Sequence, residues 1–299
     1  MPNFNIIKPS VERIDEKDNL KRIELAGRVC YKSEKKITED SARAFCEQIL
    51  KRGHTSVLEH SNLIVKVPDP VFMWIYDAIN LYESITDKHA YLIFDCLDDG
   101  TIVSGSVRAW YEVLHTGSHV LGFSGDPLLN NDCVEDLTPY IITIDDVPEH
   151  LRGVHDRITL RITCDRGVSH ELVRHRVMSF SQESTRYVNY GKRGYTFIEP
   201  WWWDHMGISM RNLMTGAMRH SISVYDAMIG EGATPQLARA VLPNQIKTEV
   251  VVTATPYQWA DFLKLREDKA AHPDMQRVAH LVREALGDDV RIQEDGGDE

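Results

Sequence analysis

The chain has 299 residues, with 34 basic and 45 acidic side chains and a formal net charge of −11. A hydrophobic share of 42% supports a real core. No apolar run reaches the roughly 18 residues of a membrane span, and the acidic balance disfavours bulk attraction to nucleic acid.

The N-terminal stretch lacks the basic-then-apolar pattern of a secretory signal. Cys30, Cys46, Cys96, Cys133 and Cys164 are odd in number and include no CxxC pair, which fits reduced thiols of a cytoplasmic protein without a cysteine-built metal site. The charge is uneven. Residues 67–156 hold 16 acidic and three basic side chains, so the remainder is near neutral and can suit an anionic small molecule.

In chain order, "TEDSARAFCEQILKRG" predicts a helix, with Ala42, Phe45, Cys46, Ile49 and Leu50 on one face, Thr38 as cap and Gly53 as terminator. "SNLIVKVP" predicts a strand. Between residues 69 and 155, "VFMWIYDAINLY" and "SVRAWYEVL" read as helices, whereas "FSGDPLLNND" and "DLTPYIITIDDVPE" read as loops with short extended pieces. "RITLRIT" alternates as a strand and leads into a short helix, "RGVSHELVRHR", with Ser169 as cap. "YTFIEP" and "TEVVVTAT" read as strands, with a helix around Ile222, Tyr225 and Met228 and a short one closed by Pro243 between them. "TPYQ" is a capping box, Thr255 to Gln258 with Pro256 at the first position, and opens a helix through "WADFLKLRED". "MQRVAHLVREALG" is the last helix. Strands and helices mix without βαβ alternation, so the class is α+β.

Four polar groups invite chemistry. "RHRVMSFSQESTRY" puts three cation-capable side chains, Arg174 to Arg176, before Ser179, Ser181, Gln182, Ser184, Thr185 and Arg186. It is either an anion site, with Arg186 as a bidentate fork, or a solvated basic helix end. "GHTSVLEH" offers His54, Ser56, Glu59 and His60, but the histidines are six apart and lack helical zinc spacing. A histidine–carboxylate bond ordering the loop is the plainer reading. Arg239 and Arg266 sit beside apolar helix residues and can either snorkel or bind an anion. The helix start at Thr255, Pro256 and Tyr257 presents backbone N–H groups that could seat a phosphate. There is neither a GxGxxG nor a GxxxxGK[ST] pattern.

Arg174, His175, Arg176 and Ser184, with Arg186 and Tyr187 following, resemble the signature of the flavin-dependent thymidylate synthases (ThyX-like). "GHTSVLEH", "ARAVLP" and "DFLKLRED…AAH" resemble further parts of that family. The resemblance implies one domain over residues 1–290 with a twisted mixed sheet and flanking helices, an acidic insertion at about 67–156, and an acidic tail at 291–299. It implies conversion of dUMP to dTMP with methylenetetrahydrofolate as one-carbon donor and NADPH-reduced FAD as hydride donor. It also implies a mechanism without a cysteine nucleophile and a homotetramer with sites across subunits. Carried over by position, Ser56, Arg174, His175, Arg176, Val177, Gln182, Thr255, Pro256, Tyr257 and Asp261 resemble flavin contacts. Glu171, Arg174, Gln182, Glu183, Ser184, Thr185, Arg186, Arg239 and Arg266 resemble the dUMP site, with Arg266 at the pyrimidine. His54 resembles a residue on the folate and nicotinamide side. Ser184 is read as a phosphate or sugar ligand, since no His–acid pair stands beside it in sequence to make it a nucleophile. Glu171 stands where many members carry Gln, and a carboxylate near a phosphate is unfavourable unless protonated or turned toward an arginine. Thr255 and Tyr257 replace Asn and Arg of some members.

Overall fold

A computed structural model describes residues 4–121 and 137–290. "FSGDPLLNND", Cys133 and the acidic tail lie outside the described residues.

The central sheet is antiparallel, in the order β2 (Ser10–Arg13), β7 (Ile158–Asp165), β10 (Lys247–Ala254), β8 (Ser179–Gln182). Alternation in β7 and β10 aims Ile158, Leu160, Ile162, Val250 and Val252 at one face. There they meet Trp259, Phe262 and Leu263 of α7 (Pro256–Arg266) and Met275, Val278 and Val282 of α8 (Pro273–Leu286). The opposite face packs Val251 on Ala26 and Val29 of α1 (Asn19–Tyr31). Both faces are covered, which is why "EVVVTA" reads as one nearly continuous apolar run.

A second antiparallel sheet has the order β4 (Ile93–Leu97), β5 (Gly100–Gly105), β3 (Leu63–Val67), β6 (Ile141–Ile142). It carries its own core with α3 (Asp69–Thr86) and α4 (Val107–Leu121), built on Val65, Val67, Ile75, Val103, Trp110 and Val113. Shortly before β7, buried His155 meets Ser104 of β5 at 2.7 Å and Asp95 of β4 at 3.0 Å. Among the described residues, parallel pairing is confined to β1 (Phe4–Ile7) with β9 (Tyr195–Ile198). The class is α+β, with antiparallel sheets and flanking helices.

Two expected caps are corrected. α2 (Ser41–Lys51) begins after Asp40, and Ser41 Oγ accepts the Thr38 N–H, so Thr38 is not the cap. Gly53 does end this segment, at φ +69° in the left-handed region that glycine enters without strain. α5 (Arg166–Leu172) is capped by Asp165, whose Oδ1 accepts from Val168 N at 2.9 Å. Ser169 lies a turn inside and donates to Arg166 O. Because α5 stops at Leu172, Arg174, His175, Arg176 and Val177 lie in turns, not on a helix. The capping box at Thr255 and Gln258 forms as expected, with both reciprocal bonds present. α6 (Ile208–Gly230) buries Met218, Ile222 and Tyr225.

Candidate functional site

The residues expected to carry chemistry assemble on the turns and helix ends around one edge of the central sheet. The first group joins the ends of α5 and α7. Arg266, half-buried, donates from Nε to His175 Nε2 at 2.9 Å. Its Nη1 reaches Glu171 Oε2 at 3.3 Å, and its Nη2 reaches the Glu171 carbonyl at 3.1 Å. The guanidinium is thus oriented by three bonds to two residues before any ligand arrives. Glu171 is turned toward an arginine, the condition under which a carboxylate at this position is tolerable. His175 packs edge-on to Phe262 at 5.0 Å between ring centroids. Burial, reinforced by the positive charge of Arg266 and opposed by Asp261, pushes its pKa down to about 4. The imidazole is neutral at physiological pH, so it can accept from Arg266.

On the turn beside this group, Arg174, Arg176 and Val177 are exposed, Val177 at 70%. Neither arginine has a side-chain hydrogen bond or ion pair among the described residues. Two cations flanked by the exposed Val173 and Val177 form a donor set suited to a flat, amphipathic, anionic group.

The second group is the loop from Gln182 to Tyr187. The amide of Gln182 donates to Ser169 Oγ at 2.8 Å and to Thr248 Oγ1 at 3.2 Å, which ties the loop to α5 and β10. Arg186 donates to Gln236 Oε1 at 3.0 Å and lies over the Tyr187 ring, 5.6 Å from its centroid. Arg239 Nη1 approaches Thr185 Oγ1 at 3.4 Å. Two guanidiniums more than fifty residues apart in sequence therefore share one corner, both exposed. Ser184 N donates to Cys30 O at 3.0 Å, and Ser184 Oγ accepts from Arg186 N at 3.3 Å.

Glu183 turns inward. Its carboxylate is 2% exposed, accepts from Tyr190 OH at 3.0 Å and pairs with Lys247 at 3.0 Å and Lys32 at 3.7 Å. Lys32 and Lys247 also pair with Glu249. Burial opposes the Glu249 charge, but hydrogen bonds from Lys247 and Lys32 overcome it and hold its pKa at about 2. This ionic cluster borders a cavity of about 180 Å³. The Glu183 side chain is part of the scaffold beneath the loop.

His54 is exposed and lies 2.6 Å from the Tyr31 hydroxyl through Nδ1. The Tyr31 ring stands 5.4 Å from that of Tyr187. The expected His–carboxylate bond in "GHTSVLEH" does not form. Glu59 pairs with Arg108, and His60 is fully buried with Nδ1 2.8 Å from Thr253 Oγ1. The chemistry of this loop is thus divided among three separate partners. Ser56 is exposed on its outer side.

The start of α7 offers less than its sequence promises. Thr255 and Pro256 are buried, Pro256 has no N–H, and the Gln258 N–H is taken by Thr255 Oγ1 at 3.3 Å. Tyr257 is half exposed, and its ring lies so close to Gly153 that a Cβ there would sit 2.6 Å from it. Asp261, exposed one turn on, faces His175 electrostatically. Tyr31, Lys32, Gln236 and Lys247 were not expected at the site. Only Gln236, one turn before Arg239 in "PQLAR", carried a sequence signal.

The fold and these groups define an α+β protein that gathers arginines and hydroxyls on the turns and helix ends of one surface. Residues 13–74 and 154–289 match the family described as thymidylate synthase complementing protein, and the chain belongs to that family. Among curated relatives, a flavin-dependent thymidylate synthase of Geobacter sulfurreducens is 31% identical over 137 residues, 44% of this chain and 57% of that protein. One of Aquifex aeolicus is 22% identical over 303 residues, 89% of this chain and 93% of that protein. One of Pyrococcus furiosus is 29% identical over 167 residues, 50% of this chain and 67% of that protein.

Proposed function

We propose that this chain is a flavin-dependent thymidylate synthase that converts dUMP to dTMP, with methylenetetrahydrofolate as one-carbon donor and NADPH as reductant of FAD. The observation that carries the reading is the shared corner of Arg186 and Arg239, beside Thr185 and Ser184. Two exposed guanidiniums and two hydroxyls suit a monoester phosphate. Family membership supplies the reaction class.

Arg174, Arg176 and Val177, with His175 behind them, would hold the flavin. The group supplies a hydride when reduced. The chain's own part is to orient and to stabilise charge. Arg266, fixed by His175 and Glu171, would face the pyrimidine and stabilise negative charge developing on the ring. A preorganised donor of this kind contributes a few kcal/mol. The ring then needs no covalent activation. Three of the five thiols fit this: burial pushes Cys46 up to about 12 and raises Cys30 and Cys164. A thiol held protonated is a poor nucleophile.

The reading includes a homotetramer with sites shared between subunits, a cytoplasmic location, and no nucleic-acid or membrane partner. No helix among the described residues is long and apolar enough to cross a membrane. Residues 67–156 are proposed as an insertion into a single domain. They provide most of the second sheet and its core, and the family match leaves 75–153 unmatched. The test is dTMP formation from dUMP with FAD, NADPH and methylenetetrahydrofolate. Product that requires all of them supports the reading, and no product from flavin-loaded protein rejects it.

A further inference from the structure

The last turn of α1 reaches both halves of the site. Cys30 O accepts the Ser184 N–H at 3.0 Å, and Lys32 pairs with Glu183 at 3.7 Å. Between them, Tyr31 lays its ring beside Tyr187 and brings its hydroxyl within 2.6 Å of His54 Nδ1. Lys32 adopts a left-handed conformation at φ 49°, which ends the helix here and lets its carbonyl accept from Arg193. Three consecutive residues thus grip two segments more than a hundred residues apart.

We infer that Tyr31 is a positioning residue: its hydroxyl fixes the tautomer and direction of His54, while its ring holds Tyr187 and the loop of Ser184–Arg186 in register. This rests on the proposed function for the identity of the ligands on each side. The Tyr31 hydroxyl has no other partner among the described residues, and we assign its proton to the bond with Nδ1. A neutral His54 that accepts at Nδ1 must carry its own proton on Nε2. The ring therefore presents Nε2–H as a donor to the folate and nicotinamide side. Burial of the Tyr31 phenol raises its pKa and keeps it a donor. The two functions of Tyr31 reside in different atoms, so two substitutions separate them.

The test uses full-length Tyr31→Phe and Tyr31→Ala loaded with FAD. The readouts are KM for methylenetetrahydrofolate, KM for dUMP, and the ¹⁵N imidazole signals of His54. Tyr31→Phe keeps the ring, so KM for dUMP should stay within about twofold. KM for the folate should rise about fivefold, as loss of one ordinary hydrogen bond allows. His54 should change from a single Nε2–H tautomer to a mixture. Tyr31→Ala should raise both KM values. An unchanged His54 spectrum in Tyr31→Phe, or both KM values unchanged in both variants, overturns the inference. If the wild-type protein makes no dTMP, the proposed function fails, yet the ¹⁵N spectrum of Tyr31→Phe still decides the role of Tyr31 toward His54.

Discussion

Arg266 Nε donates to His175 Nε2 across 2.9 Å, joining the last residue of α7 to the turn that follows α5. The pair is possible only because His175 is neutral, its pKa held at about 4 by burial and by the arginine it serves. A protonated imidazole has no lone pair to offer and would repel the guanidinium. The same contact therefore orients Arg266 and makes its orientation sensitive to acid.

Arg266→Ala should retain bound flavin and lose about 100-fold or more in the rate of dTMP formation, the usual cost of removing one preorganised charge stabiliser. Flavin absorbance and initial rates measure the two effects. Wild-type turnover in the variant would remove Arg266 from the mechanism.

Glu171 should be replaceable by Gln but not by Ala. A glutamine oxygen can still accept from Nη1, and the Glu171 carbonyl contact is backbone. Glu171→Gln is expected within about threefold of wild-type kcat, and Glu171→Ala about tenfold lower, the scale of a hydrogen bond to a charged group. Equal losses in both variants would mean that the charge itself is required.

Arg186→Ala should raise KM for dUMP at least about tenfold, since a charge-assisted contact is worth roughly 1.5–3 kcal/mol. Flavin content should be unchanged, because Arg174 and Arg176 lie on a different turn. Equilibrium titration with dUMP reads the first effect and the visible spectrum the second.

Stability should fall as the solution is acidified from pH 6.5 toward 4. In that window an unfolded histidine takes up a proton that folded His175 refuses, so the unfolded state gains. His60, fully buried with its pKa held down at about 3, extends the loss further. Melting temperatures across this range should decline, and less steeply in His175→Gln. An identical slope in wild type and variant would show that His175 is not depressed.

Lys247→Met should destabilise the protein by about 3 kcal/mol, since it leaves Glu183 and Glu249 short of a cation in a nearly buried cluster. A denaturation midpoint close to wild type would show that Lys32 suffices together with Arg161, which also pairs with Glu249.

Much of the fold was legible where one local cause dominates. The alternation of Ile158, Leu160 and Ile162, the apolar run of β10 and the capping box at Thr255 each follow from neighbours in sequence. The caps of α2 and α5 were misplaced because several short acceptors compete within three residues, and backbone direction decides among them. The stretch "RGVSHELVRHR" reads as helix through Arg176, yet α5 ends at Leu172. The role of Glu183 depends on Lys32 and Lys247, from opposite ends of the chain, and no local pattern announces such a convergence. Tyr31 was hidden for the same reason. It is an ordinary aromatic at a helix end until the fold sets it against His54 and Tyr187.

The proposed function requires arginines from separate segments to converge on one pyrimidine monophosphate. A crystal structure of the oligomer with FAD and dUMP tests it most directly. The phosphate should lie within hydrogen-bonding distance of Arg186 and Arg239, with the pyrimidine facing Arg266. A nucleotide bound elsewhere, with its phosphate touched by neither arginine, would contradict it.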